Sequence, residues 1–204
     1  MVTGSELSHF LYRHRITFIG ILLVALLAVM GYFGYEKYQQ HQVQRAAVLY
    51  NELVNTLVAG QTSTARASAD TLVHLYGHTP YATFAHFFLA RMDRESGQIP
   101  AAEMELNQVI QMKHAPQGLK SVAKLSLARL YLQQKQARNA LNLLRTPDDA
   151  FAVLQDETQG DAYVALHQDG NAMRAYQAAI QALPATDPYR DYLQMKMANI
   201  GVAP

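Results

Sequence analysis

Two histidines stand in the one arrangement of this chain that resembles a chelating pair. His74 and His78 are four residues apart, which on a helix would turn both imidazoles to the same side. Gly77 lies between them and Thr79-Pro80 follows directly, so the helix is predicted to end there. No third ligand is close in sequence, and His86 and His114 fall in other segments. Catalytic zinc usually takes three protein ligands, so the pair is read as no metal site and no cofactor is expected. The carboxylates read similarly. Asp148-Asp149 suits a helix cap, Asp169-Gly170-Asn171 suits a turn between helices, and Asp156-Glu157 with Asp161 suits a solvated face. There is no glycine-rich phosphate loop, no nucleophile elbow and no cysteine, which removes thiolate zinc sites, disulfides and cysteine catalysis. A net charge of +1 gives no global field for nucleic acid. The chain is read as a non-enzyme that does not bind nucleic acid.

The elements that hold these residues explain more than the residues do. Ile16 to Tyr35 is twenty residues without a charge, Asn, Gln or Pro. As a helix it reaches about 30 Å, the thickness of a bilayer's hydrocarbon core. Its far end, Met30-Gly31-Tyr32-Phe33-Gly34-Tyr35, is bulky and aromatic, a poor signal-peptidase site, so an uncleaved anchor is predicted. Tyr32, Phe33, Tyr35 and Tyr38 sit where an interfacial aromatic belt would lie. Arg13 and Arg15 on one side and Lys37 and Arg45 on the other tie in number; the tighter N-terminal cluster leans towards an N-in, C-out orientation. The division is then a tail over 1–15, a transmembrane helix over 16–35 and a water-soluble domain over 36–204.

That domain reads as helix pairs. No breaker falls between Tyr38 and Ala59, so the membrane helix can run straight on; Gly60 and Gln61-Thr62-Ser63 read as a stop and a new cap, followed by a helix over Thr64–Tyr76. A tetratricopeptide repeat sets small residues of two helices against each other and fills the seams with bulky ones. Gly160, Tyr163, Ala172, Tyr176, Ala179 and Pro184 stand at offsets 0, 3, 12, 16, 19 and 24, which fit that scheme. Ala128, Tyr131, Ala140 and Leu144 repeat the offsets 0, 3, 12 and 16, and Ala90, Gly97, Ala102, Leu106 and Val109 take 0, 7, 12, 16 and 19. The hairpin over 42–76 matches poorly, as a terminal repeat can. A last helix, Pro188 to Ile200, would close the stack with Tyr189, Tyr192, Leu193 and Met197 turned inward. The predicted fold class is all-α: one transmembrane helix, then a tetratricopeptide-like solenoid of helical hairpins.

In such a stack the first helix of each pair lines a groove. By phase, Phe84, Phe87, Arg91, Leu125, Arg129, Leu132 and Glu157 are the candidate protein-binding residues. Tyr81 to Phe88 carries four aromatics, more than one buried stripe requires; either some form an exposed patch or all are covered by a neighbouring helix. Arg91, Arg129 and Asp161 stand where repeats that clamp a C-terminal carboxylate carry another pattern, so that mode is not predicted.

The order of these segments resembles a known family. The anchor followed by Tyr38-Gln39-Gln40-His41-Gln42-Val43, the run from Leu127 to Ala137, the stretch Gly160 to Ala172 and the closing Gln194 to Ile200 are similar to the YfgM-type ancillary subunit of the SecYEG translocon. The resemblance implies a short cytoplasmic tail, one inner-membrane anchor and a periplasmic repeat domain. As partners it implies SecYEG, PpiD (a membrane-anchored parvulin-type periplasmic chaperone) and unfolded envelope clients. The implied role is passing newly translocated envelope proteins to chaperones. One departure stands out: Ser5–Phe10 holds a single acidic residue, Glu6, where the family carries several, so no cytosolic role of the tail carries over. Three other roles fit the same architecture: a scaffold for a secretion or pilus assembly, a periplasmic chaperone acting alone and, as the weakest, an enzyme whose activity would depend on His74 and His78.

Overall fold

The computed structural model describes residues 15–201. The tail expected over 1–15 lies, except for Arg15, outside the described residues. Nine α-helices follow one another among the described residues, with no strand. They are α1 (Arg15–Val58), α2 (Thr62–Leu75), α3 (Pro80–Glu95), α4 (Ile99–Gln111), α5 (Gln117–Gln133), α6 (Ala137–Leu143), α7 (Ala152–Ala165), α8 (Asp169–Gln181) and α9 (Tyr189–Ala198). A short 3-10 turn, Asp149–Phe151, precedes α7.

α1 is one unbroken helix of 44 residues, about 66 Å long. From Ile21 to Tyr35 its large apolar side chains are exposed, a surface suited to a membrane interior. Beyond Tyr35 the same helix becomes half of a hairpin. Ala46 and Leu53 bury against Ala69 and Leu72 of α2 and Ala85 and Leu89 of α3.

Four hairpins result: α1/α2, α3/α4, α5/α6 and α7/α8. All four are turned by the same motif. The first helix ends at a residue with positive φ, at Gly60 (72°), Gly97 (75°), Lys135 (60°) and His167 (55°). In each case the following residue is a glutamine, and its N–H donates back to a carbonyl five residues earlier: Gln61 to Thr56 (2.8 Å), Gln98 to Asp93 (2.7 Å), Gln136 to Tyr131 (2.8 Å) and Gln168 to Tyr163 (2.9 Å). The positive-φ residue also donates to the carbonyl three residues earlier (Gly60 to Leu57, Gly97 to Arg94, Lys135 to Leu132, His167 to Val164), and the pair of bonds satisfies carbonyls that a helix end would otherwise leave bare. The hairpin over 42–76, a poor match by side-chain pattern, is therefore a repeat unit by its turn. Thr62 and Ser63 lie in the first turn of α2, one position after the cap at Gln61.

Within the pairs, small residues do the close packing. Ala90 faces α4 through Ala102, and Ala128 faces α6 through Ala137 and Ala140. Gly160 lies so near Tyr176 that an added Cβ would come within 2.5 Å of the ring. Leu193 of α9 is completely buried on α8 beside Tyr176 and Ile180. Tyr192, expected to face inward, is exposed at 40% and lies beside Tyr189, because Leu193 already fills the seam.

Three other expectations change. Asp169-Gly170-Asn171 forms the first turn of α8, not a loop, since the chain reverses two residues earlier at His167-Gln168. Asp148 occupies the cap position of the 3-10 turn, but its carboxylate accepts from the Ser121 hydroxyl of α5 rather than from a backbone amide. Glu157 and Asp161 are not a solvated face: Glu157 is 5% exposed, covered by α9, while Asp156 is half-buried.

Candidate functional site

First helices of neighbouring hairpins pack side by side where α1 meets α3 and where α5 meets α7, but α3 and α5 stand further apart. A cleft of ≈ 170 Å³ opens between them. Ala102 and Leu106 of α4 contribute to its lining, together with Phe87 and Ala90 of α3 and Leu130 of α5. Three guanidinium groups also line it: Arg91 and Arg94 from the last turns of α3 and Arg129 from α5. Arg91 and Arg94 are one helical turn apart and so share a face. Arg129 holds the corresponding place on the next first helix.

These cations differ in how they are engaged. Arg91 Nε donates to Glu95 Oε1 at 2.7 Å on the open surface, which raises its pKa and keeps it firmly charged. An exposed pair of this kind is readily exchanged for another. Arg129 is 3.7 Å from the Glu157 carboxylate, long for a hydrogen bond. Arg94 has no carboxylate within bridging distance among the described residues. Other carboxylates of this region are engaged elsewhere: Asp93 with Arg66 at 2.7 Å, Glu105 with His86 at 2.5 Å and Glu103 with Gln134.

Of the seven residues selected by phase, the structure brings Phe87, Arg91 and Arg129 together at this cleft. Phe84 is exposed at 40%, with its ring 5.8 Å from that of Tyr50 on α1. Leu125 is buried in the core shared by α5, α6 and α7, and Leu132 packs half-buried against the same core. Glu157 is buried beneath α9. Among the aromatics of Tyr81 to Phe88, Tyr81 and Phe88 pack on the core around Ala46, Leu72 and Leu89, and Phe87 on the core around Ala90 and Leu106, so only Phe84 of these four presents a large open surface. Arg94, Ser126 and Gln133 also line the cleft and are outside the seven. The signal for Arg94 and Gln133 is the spacing i+3 from Arg91 and i+4 from Arg129, which puts each on the face already chosen.

A second polar cluster closes the C-terminal end. Lys196 Nζ donates at 2.8 Å to Glu157 Oε1 and at 2.8 Å to both oxygens of Asp161. Tyr189 donates its hydroxyl to Glu157 at 2.6 Å and Tyr176 to Asp161 at 2.5 Å. Burial works against the Lys196 ammonium, but its hydrogen bonds and the two carboxylate charges outweigh that, and its pKa lies above the ordinary lysine value. Burial, then the bond to Asp161, raises the Tyr176 phenol. Burial and the bond to Glu157 push Tyr189 up to about 12. Every buried side-chain polar atom among the described residues has a partner, so this cluster ties α9 to α7 and α8 with its hydrogen bonds satisfied.

The ring of His78 meets that of His114 edge-on at 6.4 Å, and no group of three or more His, Cys, Asp or Glu suited to a metal occurs among the described residues.

Comparison with known proteins places these features in a family. The family described as tetratricopeptide repeat-like domain matches residues 9–202. A protein of Neisseria gonorrhoeae (strain ATCC 700825 / FA 1090), named ancillary SecYEG translocon subunit, is 30% identical over 96% of this chain and 95% of its own length. A protein of Escherichia coli (strain K12) with the same name is 27% identical over 60% of this chain and 59% of its own. No solved structure matches the chain.

Proposed function

The chain belongs to the YfgM-type family of tetratricopeptide repeat-like proteins, and from that premise we propose that it is a membrane-anchored, non-enzymatic adaptor at the SecYEG translocon. In this reading residues 1–15 are cytoplasmic, 16–35 cross the inner membrane and 36–204 work in the periplasm. The repeat domain links emerging envelope proteins to periplasmic chaperones, with a PpiD-like parvulin-type chaperone as its partner.

One observation carries the reading: the helix suited to the membrane is also the first helix of the repeat stack, without a break. The first buried contact, at Ala46, comes eleven residues after Tyr35, about 16 Å along the axis. A flexible linker would let the domain sweep a large volume. A continuous helix instead keeps it at one height and one rotation relative to the anchor, as a subunit beside a protein-conducting channel requires. Confinement also raises the effective concentration of each partner, so individually weak contacts suffice.

The test is recovery of partners from native membranes in mild detergent, read by mass spectrometry. One bait is the full chain; the other has Ile16 to Tyr35 replaced by an unrelated membrane helix of equal length. Translocon subunits together with a parvulin-type chaperone on the first bait are expected. Their retention by the second bait assigns the contact to the repeat domain, and their loss assigns it to the anchor. Recovery of a different envelope assembly by both baits, without translocon subunits, defeats the reading.

A further inference from the structure

The α3–α5 cleft joins two features that rarely share so small a space, an apolar floor and three arginines. Its ≈ 170 Å³ is below the ~300–1,000 Å³ of pockets that enclose small-molecule ligands, so a cofactor is a poor fit. The space suits one large side chain of a polypeptide. The whole chain carries a net charge of only +1, so the three guanidiniums are a local concentration of charge and not a sample of a basic surface. Neighbouring acids cancel it only in part: Asp93 is held by Arg66 and Glu105 by His86, the Glu95 partner of Arg91 is exposed and exchangeable, Glu157 lies 3.7 Å from Arg129 but is bonded more closely by Lys196 and Tyr189, and Arg94 has no carboxylate partner among the described residues.

We infer that the cleft receives an extended acidic segment of a partner polypeptide, seating one aromatic or aliphatic side chain on Phe87 and Leu130 and its flanking carboxylates on Arg91, Arg94 and Arg129. The inference rests on the reading of the repeat domain as a protein-binding surface, and it names the chemistry that surface selects. In an extended chain, alternate side chains point to one face about 7 Å apart. A central apolar residue can therefore enter the gap while its neighbours reach outward to arginines on both walls. Arginine suits the task because its planar fork matches a carboxylate with two parallel hydrogen bonds. Selectivity follows from both parts. A basic segment is repelled, a neutral one offers the arginines no carboxylate, and an acidic segment lacking the apolar residue leaves the floor uncovered.

The test uses the full chain in dodecyl maltoside and fluorescence anisotropy with end-capped peptides. DEDFEDE is the probe; NQNFQNQ and DEDSEDE are its neutral and apolar-deleted controls. DEDFEDE is expected to bind at least about tenfold more tightly than either control, and to weaken as salt rises. The triple variant R91A/R94A/R129A is expected to lose about tenfold in affinity. Because Arg129 also lies near Glu157, Arg94→Glu serves as a second variant. It disturbs no ion pair among the described residues and is expected to lose several-fold with unchanged circular dichroism and melting. Equal binding of DEDFEDE by the wild type and Arg94→Glu overturns the inference. So does equal binding of DEDSEDE and DEDFEDE with displacement by millimolar inorganic phosphate, which would make the cleft a plain anion site. A requirement for a free C-terminal carboxylate overturns it in favour of a terminal clamp. The same variants used as membrane baits separate the two readings: translocon subunits recovered by a variant that has lost the peptide leave the adaptor role standing, whereas loss of the translocon with peptide binding intact defeats the adaptor role alone.

Discussion

At the N-terminal end of the stack, α1 meets its neighbours through Ala46, Leu53, Leu72 and Leu89, and it brings no charge into that contact. At the C-terminal end, α9 is held by the single fully buried leucine Leu193 and by Lys196 shared between Glu157 and Asp161. The helices differ in what they have to work with. α1 buries Ala46 and Leu53 and half-buries Leu49 and Tyr50 there, so apolar packing fixes it. α9 has ten residues, and its outer face must stay wet, so too little apolar area is left to choose one register. Directional bonds supply the choice instead. The turns divide in the same way: the two N-terminal hairpins place glycine at positive φ, and the two C-terminal ones place Lys135 and His167 there, at some cost in strain.

The strongest challenge to this contrast is Leu72→Ala. Leu72 is completely buried between α1, α2 and α3, and its truncation is expected to cost about 2–5 kcal/mol in urea unfolding of the full chain. A loss under about 1 kcal/mol would show that the apolar end is not what holds α1. Lys196→Met is the counterpart, leaving two carboxylates side by side without their cation. A loss of about 2 kcal/mol is expected, discounted from a fully buried pair because Asp161 is partly exposed. Hydrogen exchange should speed up in α9 and the adjoining face of α8 while α1–α3 keep their protection; uniform loss would mean that the two ends are not separable. Gly160→Ala pushes a methyl group against the Tyr176 ring, which is held by Asp161 and cannot swing away freely, and should cost about 1–3 kcal/mol. Gly118→Ala in α5, where a Cβ would meet nothing nearer than 4.0 Å, is the paired control and should be neutral or stabilising.

Alkaline pH probes the same polar cluster without mutation. Tyr176, Tyr189 and Lys196 all have their pKa values raised on folding. Their contribution is therefore complete below the ordinary tyrosine and lysine values near 10 and is lost as pH rises beyond them. Between about pH 10 and 12, exchange protection of α9 should fall before that of α1–α3, with Tyr189 ionising near 12 in tyrosinate absorbance. Simultaneous melting of both ends would contradict the polar character of the C-terminal closure. The smallest effects belong to the turns. Lys135→Gly and His167→Gly should each raise stability by about 0.5–1 kcal/mol, and Gly97→Ala should lower it by a similar amount, all read from thermal melts.

Much of the architecture was legible because it depends on neighbours in sequence. Twenty residues without a polar break in Ile16 to Tyr35 announce a membrane helix by length alone, and the small residues Ala90, Ala102, Ala128, Ala140, Gly160 and Ala172 announce hairpins by spacing. Part of the cleft's lining was legible: Phe87, Arg91 and Arg129 share a helical phase, and the fold brings them together there. Phase could not reveal that Leu125 turns into the core between α5 and α7, since the same face of a first helix serves both groove and seam. Nor could it single out the α1/α2 hairpin, whose kinship to the others lies in a backbone turn ending on Gln61, Gln98, Gln136 and Gln168.

The sequence by itself determined which segments are helical, that they pair as hairpins and which helix is apolar enough to cross a membrane. Those properties follow from hydropathy, helical period and the positions of glycine and proline, all local. Tertiary structure decided the fate of the charges. Glu157 and Lys196 are 39 residues apart, and nothing in the local pattern of Asp156-Glu157 distinguishes a solvated acid from one buried under a lysine. The separation of α3 from α5, which turns three ordinary surface arginines into a cleft, likewise depends on how α4 packs between α3 and α5. A charge is placed by the partner that covers it, and that partner is chosen only when distant helices pack.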